Sequence, residues 1–205
     1  MRTALEGLQK LKRATDTTII IPNDKLLDVA PDLPLNMAFK VSDEVLANAT
    51  KGIIEMVTKP GMVNIDFADL RSVLKDSGYA VIGVGESSGT GTKDRAMIAV
   101  ENTLKSPLLD VDLSTAKKAL VNIVGGQDMT LREAESIFQE VSSRINDQAM
   151  LKWGARIEPS MQKNALKVMV VMGGVEYANY TEEGKNGKQP DGAETNADLD
   201  EMFEQ

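Results

Sequence analysis

Between Pro34 and Lys59-Pro60-Gly61 the chain has room for one uninterrupted helix, and that helix constrains everything packed around it. Ala38, Val41, Val45, Ala49, Ile53 and Val57 recur every three or four residues, and Leu46 and Met56 widen the stripe. A proline suits a helix start, and a Pro-Gly turn stops one, so the pattern predicts a helix from about Leu35 to Thr58. Burying each larger side chain of such a stripe is worth roughly 1.5–3 kcal/mol. Six to eight of them together rival the net stability of a whole domain, about 5–15 kcal/mol. A helix of this kind cannot stand bare, and other elements must cover it on more than one side.

Ahead of it, Leu5, Leu8 and Leu11 alternate with Lys10, Lys12 and Arg13 in a helical pattern that no N-cap precedes. Thr17 to Ile21 is then a β-branched run without polar alternation, as expected of a parallel strand buried on both faces, and Pro22-Asn23-Asp24 ends it. That order predicts a larger parallel sheet whose other strands lie outside this chain. After Gly61 the pattern changes. Strands are expected at Ala80–Val84, Ala119–Val124, Met150–Ile157 and Leu166–Met172, the last apolar on both faces and so central. A helix is expected over Asp94–Lys105. A second follows the capping box Thr130-Leu131-Arg132-Glu133, with Leu131, Ala134, Phe138, Val141 and Ile145 on its inner face. The fold class expected is α/β plus α+β. Residues 1–60 are expected to be part of an α/β domain that includes the long central helix, 35–58. Residues 61–178 are a compact α+β domain with a four-stranded sheet, and 179–205 are a disordered acidic tail. Near its end the tail carries Leu199-Asp200-Glu201-Met202-Phe203, apolar residues in an acidic setting of the kind that can fold onto a partner.

Composition removes whole classes of chemistry. The chain has no histidine and no cysteine, which excludes Ser-His catalysis, imidazole-ligated zinc, thiolate metal sites and disulfides. Catalysis must use carboxylates, lysines or hydroxyls, and any metal must be a hard cation held by oxygen. With 23 Lys and Arg against 31 Asp and Glu, the formal charge is −8. That balance argues against nucleic acid and anionic membranes as nonspecific partners. No apolar run is long enough to span a bilayer, and Met1-Arg2-Thr3 does not open a signal peptide.

Three groups of residues carry possible chemistry. Asn64, Asp66 and Asp69 place an amide and two carboxylates just past the Lys59-Pro60-Gly61 turn, where they can hold a water or a cation at a partner's phosphate. Short acidic motifs of this kind are more often N-caps or solvated loops. Phe39 and Asp43 are four apart and share one helix face, with a core ring and a dipole-favoured charge as the plain reading. Ser88-Gly89-Thr90-Gly91-Thr92-Lys93 looks like a phosphate loop, but the Gly-Lys-Ser/Thr ending required from Gly85 onward does not occur. It reads as a loop with an N-cap at Thr92 or Asp94.

Taken in order, Ile20-Ile21-Pro22-Asn23-Asp24-Lys25-Leu26, Asn64-Ile65-Asp66-Phe67-Ala68-Asp69, Arg95-Ala96 and Ser106-Pro107-Leu108-Leu109 closely resemble the FtsZ family. These are the tubulin-like GTPases of prokaryotic cell division. The resemblance runs from near the first residue to about Tyr177. It implies that residues 1–60 are the remnant of a tubulin-like GTP-binding domain, and that Asn23, Phe39 and Asp43 face the guanine base. It also implies that Asn64, Asp66 and Asp69 form a loop that enters the next subunit's nucleotide pocket and there acts on the water attacking GTP. Further implications are GTP/GDP and Mg as ligands, self-association into head-to-tail filaments, and a place in the cytoplasm at the division site. No dedicated metal site, nucleic-acid contact or membrane insertion is implied. The family's glycine-rich phosphate loops and first strands have no counterpart in these residues. Arg71 is expected only to pair with Asp66 or Asp69. The tail keeps the acidic, apolar character of the family's partner motif without its proline, which leaves docking of division partners there an open expectation. A non-enzymatic module that caps filament ends is the alternative reading. An unrelated α+β small-molecule-binding domain is a third.

Overall fold

The computed structural model describes residues 2–21, 35–88, 94–106, 108–109 and 111–176. In chain order the elements are α1 (Arg2–Ala14), β1 (Thr17–Ile19), α2 (Leu35–Thr58), α3 (Phe67–Leu74) and β2 (Gly78–Ser87). Then come α4 (Arg95–Leu104), β3 (Lys118–Gly125), α5 (Leu131–Arg144), β4 (Met150–Ile157) and β5 (Leu166–Gly173). The strands form one sheet in the order β1-β2-β5-β3-β4. β5 lies antiparallel between β2 and β3, while β1 with β2 and β3 with β4 are parallel.

The central place of β5 follows from its composition. A strand of Leu, Val and Met on both faces is stable only where both faces are covered. Val168 and Val170 point to one side, with Val81, Val121 and Ile123, and meet Ala99 and Val100 of α4 and Ile137 and Val141 of α5. Met169 and Val171 point to the other, with Ile82 and Leu120, and meet Ala49 and Met56 of α2 and Leu70 and Val73 of α3. The result is three layers: α2 with α3, the sheet, and α4 with α5. Gly85 sets the close approach on the α4 side, since a Cβ there would lie 2.2 Å from the Thr103 backbone nitrogen.

Several expectations change. β1 is not a strand buried on both faces with partners only outside the chain. It is half-buried and forms the edge of this same sheet, pairing Thr17–Ile19 with Gly78–Ala80. Three residues long, with one neighbouring strand, it joins the four expected strands as a fifth. Leu46, read as part of the α2 stripe, is 56% exposed, and burial on α2 becomes evident from Ala49 onward. On α5, Ile137 joins the expected Ala134 and Val141 as fully buried, while Leu131 in the first turn is exposed. Helix α3 was not anticipated at all; its cap is described below. Asp94 takes the N-cap position of α4 without a side-chain hydrogen bond, and Thr92 lies outside the described residues. Residues 179–205, expected to be a disordered tail, lie outside them too. Among the described residues no helix is long and apolar enough to cross a membrane.

Candidate functional site

The segment between α2 and α3 is pinned at both ends. The Gly61 N–H donates to Asn64 Oδ1 at 2.7 Å, closing the turn after Pro60. Val63 and Ala155 of β4 exchange backbone hydrogen bonds of 3.1 and 3.0 Å, and Ile65 is buried beneath the loop. Asp66 is the N-cap of α3: its Oδ1 accepts from the Asp69 N–H at 2.7 Å, and the Asp66 N–H donates back to Asp69 Oδ2 at 3.3 Å. The two carboxylates thereby make a reciprocal capping box, the carboxylate version of Ser-x-x-Glu. Asp69 also pairs with Lys152 of β4 at 2.9 Å. That ammonium first, and the Asp66 N–H second, hold the Asp69 carboxyl below the usual carboxylate range. Asn64 and Asp66 face solvent beside Met62 and Phe67, which are 47% and 68% exposed.

The local structure therefore satisfies the plain and the functional readings together. The Asp-x-x-Asp spacing starts a helix, and the helix start presents the same polar groups outward from a fixed position. Arg71 is not the cation that pairs with Asp69; Lys152, one strand away, takes that place. The physical reason is reach across α3 onto the polar face of β4. Along β4, Leu151, Trp153 and Ile157 pack into the core, and Lys152 and Arg156 alternate to the opposite face. That alternation was readable in the sequence and points to both residues. Arg156 is buried and joins Glu55 of α2 at 2.6 Å and Glu158 at 2.8 Å. Lys59 joins the same two carboxylates at 2.9 and 3.3 Å, so the end of α2 is clamped to the end of β4. Arg156 above all, then Ser160 and Lys59, draws the Glu158 carboxyl down to about 2.

Of the other candidate residues, Asp43 is not brought to this loop. Asn23 and the Phe39 side chain lie outside the described residues. Asp43 is exposed on α2. Fifteen residues separate it from Thr58, which at 1.5 Å per residue is about 22 Å along the axis. Within one chain, Asp43 and the Asp66–Asp69 loop sit toward opposite ends of one rigid rod. As for a cation, no group of three or more acidic side chains suited to hold one occurs among the described residues. Asp69 is committed to Lys152 and to the Asp66 N–H, so this loop does not by itself supply the near-octahedral oxygen shell that Mg requires.

Comparison with known proteins bears directly on this arrangement. Residues 78–176 match the model of the FtsZ family, C-terminal domain. The chain is 50% identical over 169 residues to Cell division protein FtsZ 1 of Archaeoglobus fulgidus, covering 82% of this chain and 45% of that protein. It is 52% identical over 172 residues to Cell division protein FtsZ of Methanothermobacter thermautotrophicus, covering 84% and 44%. Among solved structures it superposes on an FtsZ dimer, empty, from M. jannaschii with a TM-score of 0.79 and 41% identity, covering 94% of this chain and 56% of that one. The chain belongs to the FtsZ family. It spans about half the length of the curated FtsZ relatives it matches. The five-stranded sheet with helices on both faces is the FtsZ C-terminal fold, and the Asn64–Asp69 loop lies just ahead of the residues the family model covers.

Proposed function

We propose that this chain is part of a cytoskeletal cell-division GTPase that polymerises head-to-tail, with GTP hydrolysed at the junction between subunits. One observation carries the reading. Asp43, of the residues proposed to face guanine, stands about 22 Å along α2 from Thr58, and Asn64, Asp66 and Asp69, proposed to act on the γ-phosphate, follow beyond that end. Groups so separated on one rod cannot serve one bound nucleotide, but they can serve two when identical subunits stack along that rod. A heterologous contact of this kind propagates into an open filament. The dimer named for the M. jannaschii relative is consistent with self-association.

In this arrangement Asn23, Phe39 and Asp43 recognise the base of a nucleotide whose phosphates are held by residues outside this chain. The Asp43 carboxylate would accept from the N1–H and exocyclic amine of guanine, a pattern adenine cannot offer. The partner subunit receives the Asn64–Asp69 loop. There Asn64, Asp66, exposed with one oxygen in the cap, and Asp69 orient the attacking water, and Lys152 of β4 holds Asp69 in place. The motif places Met62 and Phe67 beside the loop, where they would be covered on assembly. We assign the protein to the division site on the strength of the family.

The test is a mixing experiment in protein that includes the phosphate-binding half. Subunits carrying Asp66→Asn with an intact pocket are combined with subunits carrying Asp43→Ala and an intact loop. A shared site predicts that the mixture hydrolyses GTP faster than either component. A mixture no faster than its components refutes the assignment. A chain that only caps filaments would instead lower assembly at substoichiometric dose and support no turnover in any mixture.

A further inference from the structure

Beside the clamp described above, α2 and the ends of β3, β4 and β5 enclose a cleft of about 380 Å³. Its floor is apolar, with Met161 and Met169, flexible side chains that adapt to irregular occupants. Its rim is basic, with Lys51, Lys59, Arg156 and Lys167 against two carboxylates, Glu55 and Glu158. Both carboxylates are already neutralised by Arg156 and Lys59, and Lys167 reaches Glu86 outside the cleft. No described carboxylate lies within ion-pair distance of Lys51, so the cleft keeps a positive excess in a chain whose formal charge is −8.

The same chain contains a segment of complementary chemistry. Residues 198–204, Asp198-Leu199-Asp200-Glu201-Met202-Phe203-Glu204, hold four carboxylates and no base. Leu199, Met202 and Phe203 are spaced to share one helix face. We propose that this acidic–apolar segment docks in the basic cleft of its own chain, with Met202 and Phe203 beside Met161 and Met169 and its carboxylates at Lys51 and, in exchange for the exposed Glu86, at Lys167.

Reach supports an occupant in cis. β5 runs from the cleft end, at Lys167, to Gly173, and the described chain leaves nearby at Glu176. Six strand steps of about 3.4 Å put roughly 20 Å between the exit and the cleft. Twenty-one residues, 177–197, join Glu176 to the segment. A coil of that length has a root-mean-square reach of about 25 Å. A tether whose reach matches the span gives the highest effective concentration, on the order of millimolar. A segment with only millimolar intrinsic affinity would then occupy the cleft about half the time. It would be released by any partner that bound residues 198–204 more tightly, or by one that filled the cleft.

The chain has no cysteine and 11 methionines, which makes the test direct. A nitroxide is attached to the full chain at Ala197→Cys, and the methyl groups of ¹³C-labelled methionine are observed. At low salt the Met161 and Met169 signals should be selectively lost, while Met150, at the far end of β4 from Arg156, persists. One molar salt, which shortens screening to about 3 Å, should restore them. The double variant Lys51→Glu, Lys167→Glu should restore them as well. Equal intensity for all three methyls at low salt would overturn the proposal. So would losses that survive both treatments. Losses seen only when nitroxide-bearing, unlabelled chains are mixed with ¹³C-labelled ones would give the cleft to a second copy and overturn docking in cis.

Discussion

Replacing Asp66 separates the structural from the chemical role of the loop. Asp66→Ala removes the acceptor for the Asp69 N–H at 2.7 Å and leaves that donor to water. Loss of a side-chain N-cap costs about 1 kcal/mol, within a range of roughly 0.5–2. A carboxylate leaving the first turn adds a few tenths, about 0.3 kcal/mol or more, through the helix dipole. Asp69→Ala removes a longer reciprocal bond of 3.3 Å and an ion pair to Lys152 whose partners are 29% and 45% exposed. An exposed pair contributes only about 0.2–1 kcal/mol, so this variant should lose about 0.5 kcal/mol. Asp66→Asn keeps the cap, since Asn and Asp serve equally there, and loses only the charge. The expected order of destabilisation is Asp66→Ala, then Asp69→Ala, then Asp66→Asn near zero. Urea titration followed by circular dichroism reads it directly as shifts of midpoint at constant slope. In a thermal melt, 1 kcal/mol corresponds to about 2–4 °C for a chain of this size. If Asp66→Asn proves as damaging as Asp66→Ala, the capping argument fails. If the order holds and Asp66→Asn still abolishes hydrolysis in the filament, that loss is chemical.

Two glycines with close neighbours, Gly85 on β2 and Gly52 on α2, should behave differently. Gly85→Ala drives a Cβ into the Thr103 nitrogen at 2.2 Å and the Ala99 carbonyl at 2.7 Å, so backbone must move and about 3 kcal/mol should be lost in thermal melts. Gly52→Ala meets only the Sδ and Cε of Met169, the free end of a flexible side chain, and gains helix propensity of about 1 kcal/mol. It should melt within a few degrees of the parent. Arg95, buried on α4, binds Glu133 at 2.6 Å and also Asp128, joining α4 to the start of α5. Arg95→Met strands both carboxylates; because these are 22% and 33% exposed, the loss should sit near the lower end for a broken buried pair, about 3 kcal/mol. Arg95 also holds both carboxyls below their ordinary values of 4.5 and 3.8. Depressed carboxylates stabilise fully above those ordinary values and lose the contribution as pH falls through the folded ones. The parent should therefore weaken steeply below about pH 4.5, and Arg95→Met should weaken less over the same range. Urea midpoints at pH 7, 5 and 3 distinguish the two.

Much of this molecule was legible before any coordinates. The limits of α2 follow from Pro34, Pro60 and the stripe between them, because a helix start, a helix stop and a 3.6-residue period are local properties. The capping box at Thr130 and the central position of β5 are legible for the same reason: the first is a hydrogen-bond pattern over four residues, the second the apolar run Val168–Met172, covering both faces. The site was legible as a list of residues, Asn64, Asp66 and Asp69, but not as a geometry. The eight residues of helix α3 are too few for periodicity to announce, and the N-cap reading of Asp66-x-x-Asp69 by itself does not say that a helix follows.

What the sequence by itself determined is everything set within a few residues: helix limits, strand texture, caps, and the exclusion of histidine and cysteine chemistry. What only the tertiary structure decided are the pairings between distant segments. Lys152 with Asp69, Arg156 with Glu55 and β1 with β2 are separated by 83, 101 and about 60 residues. No local pattern records such a partner. It emerges only when the sheet order places β4 beneath the ends of α2 and α3, and turns two polar positions of an alternating strand toward carboxylates on another layer.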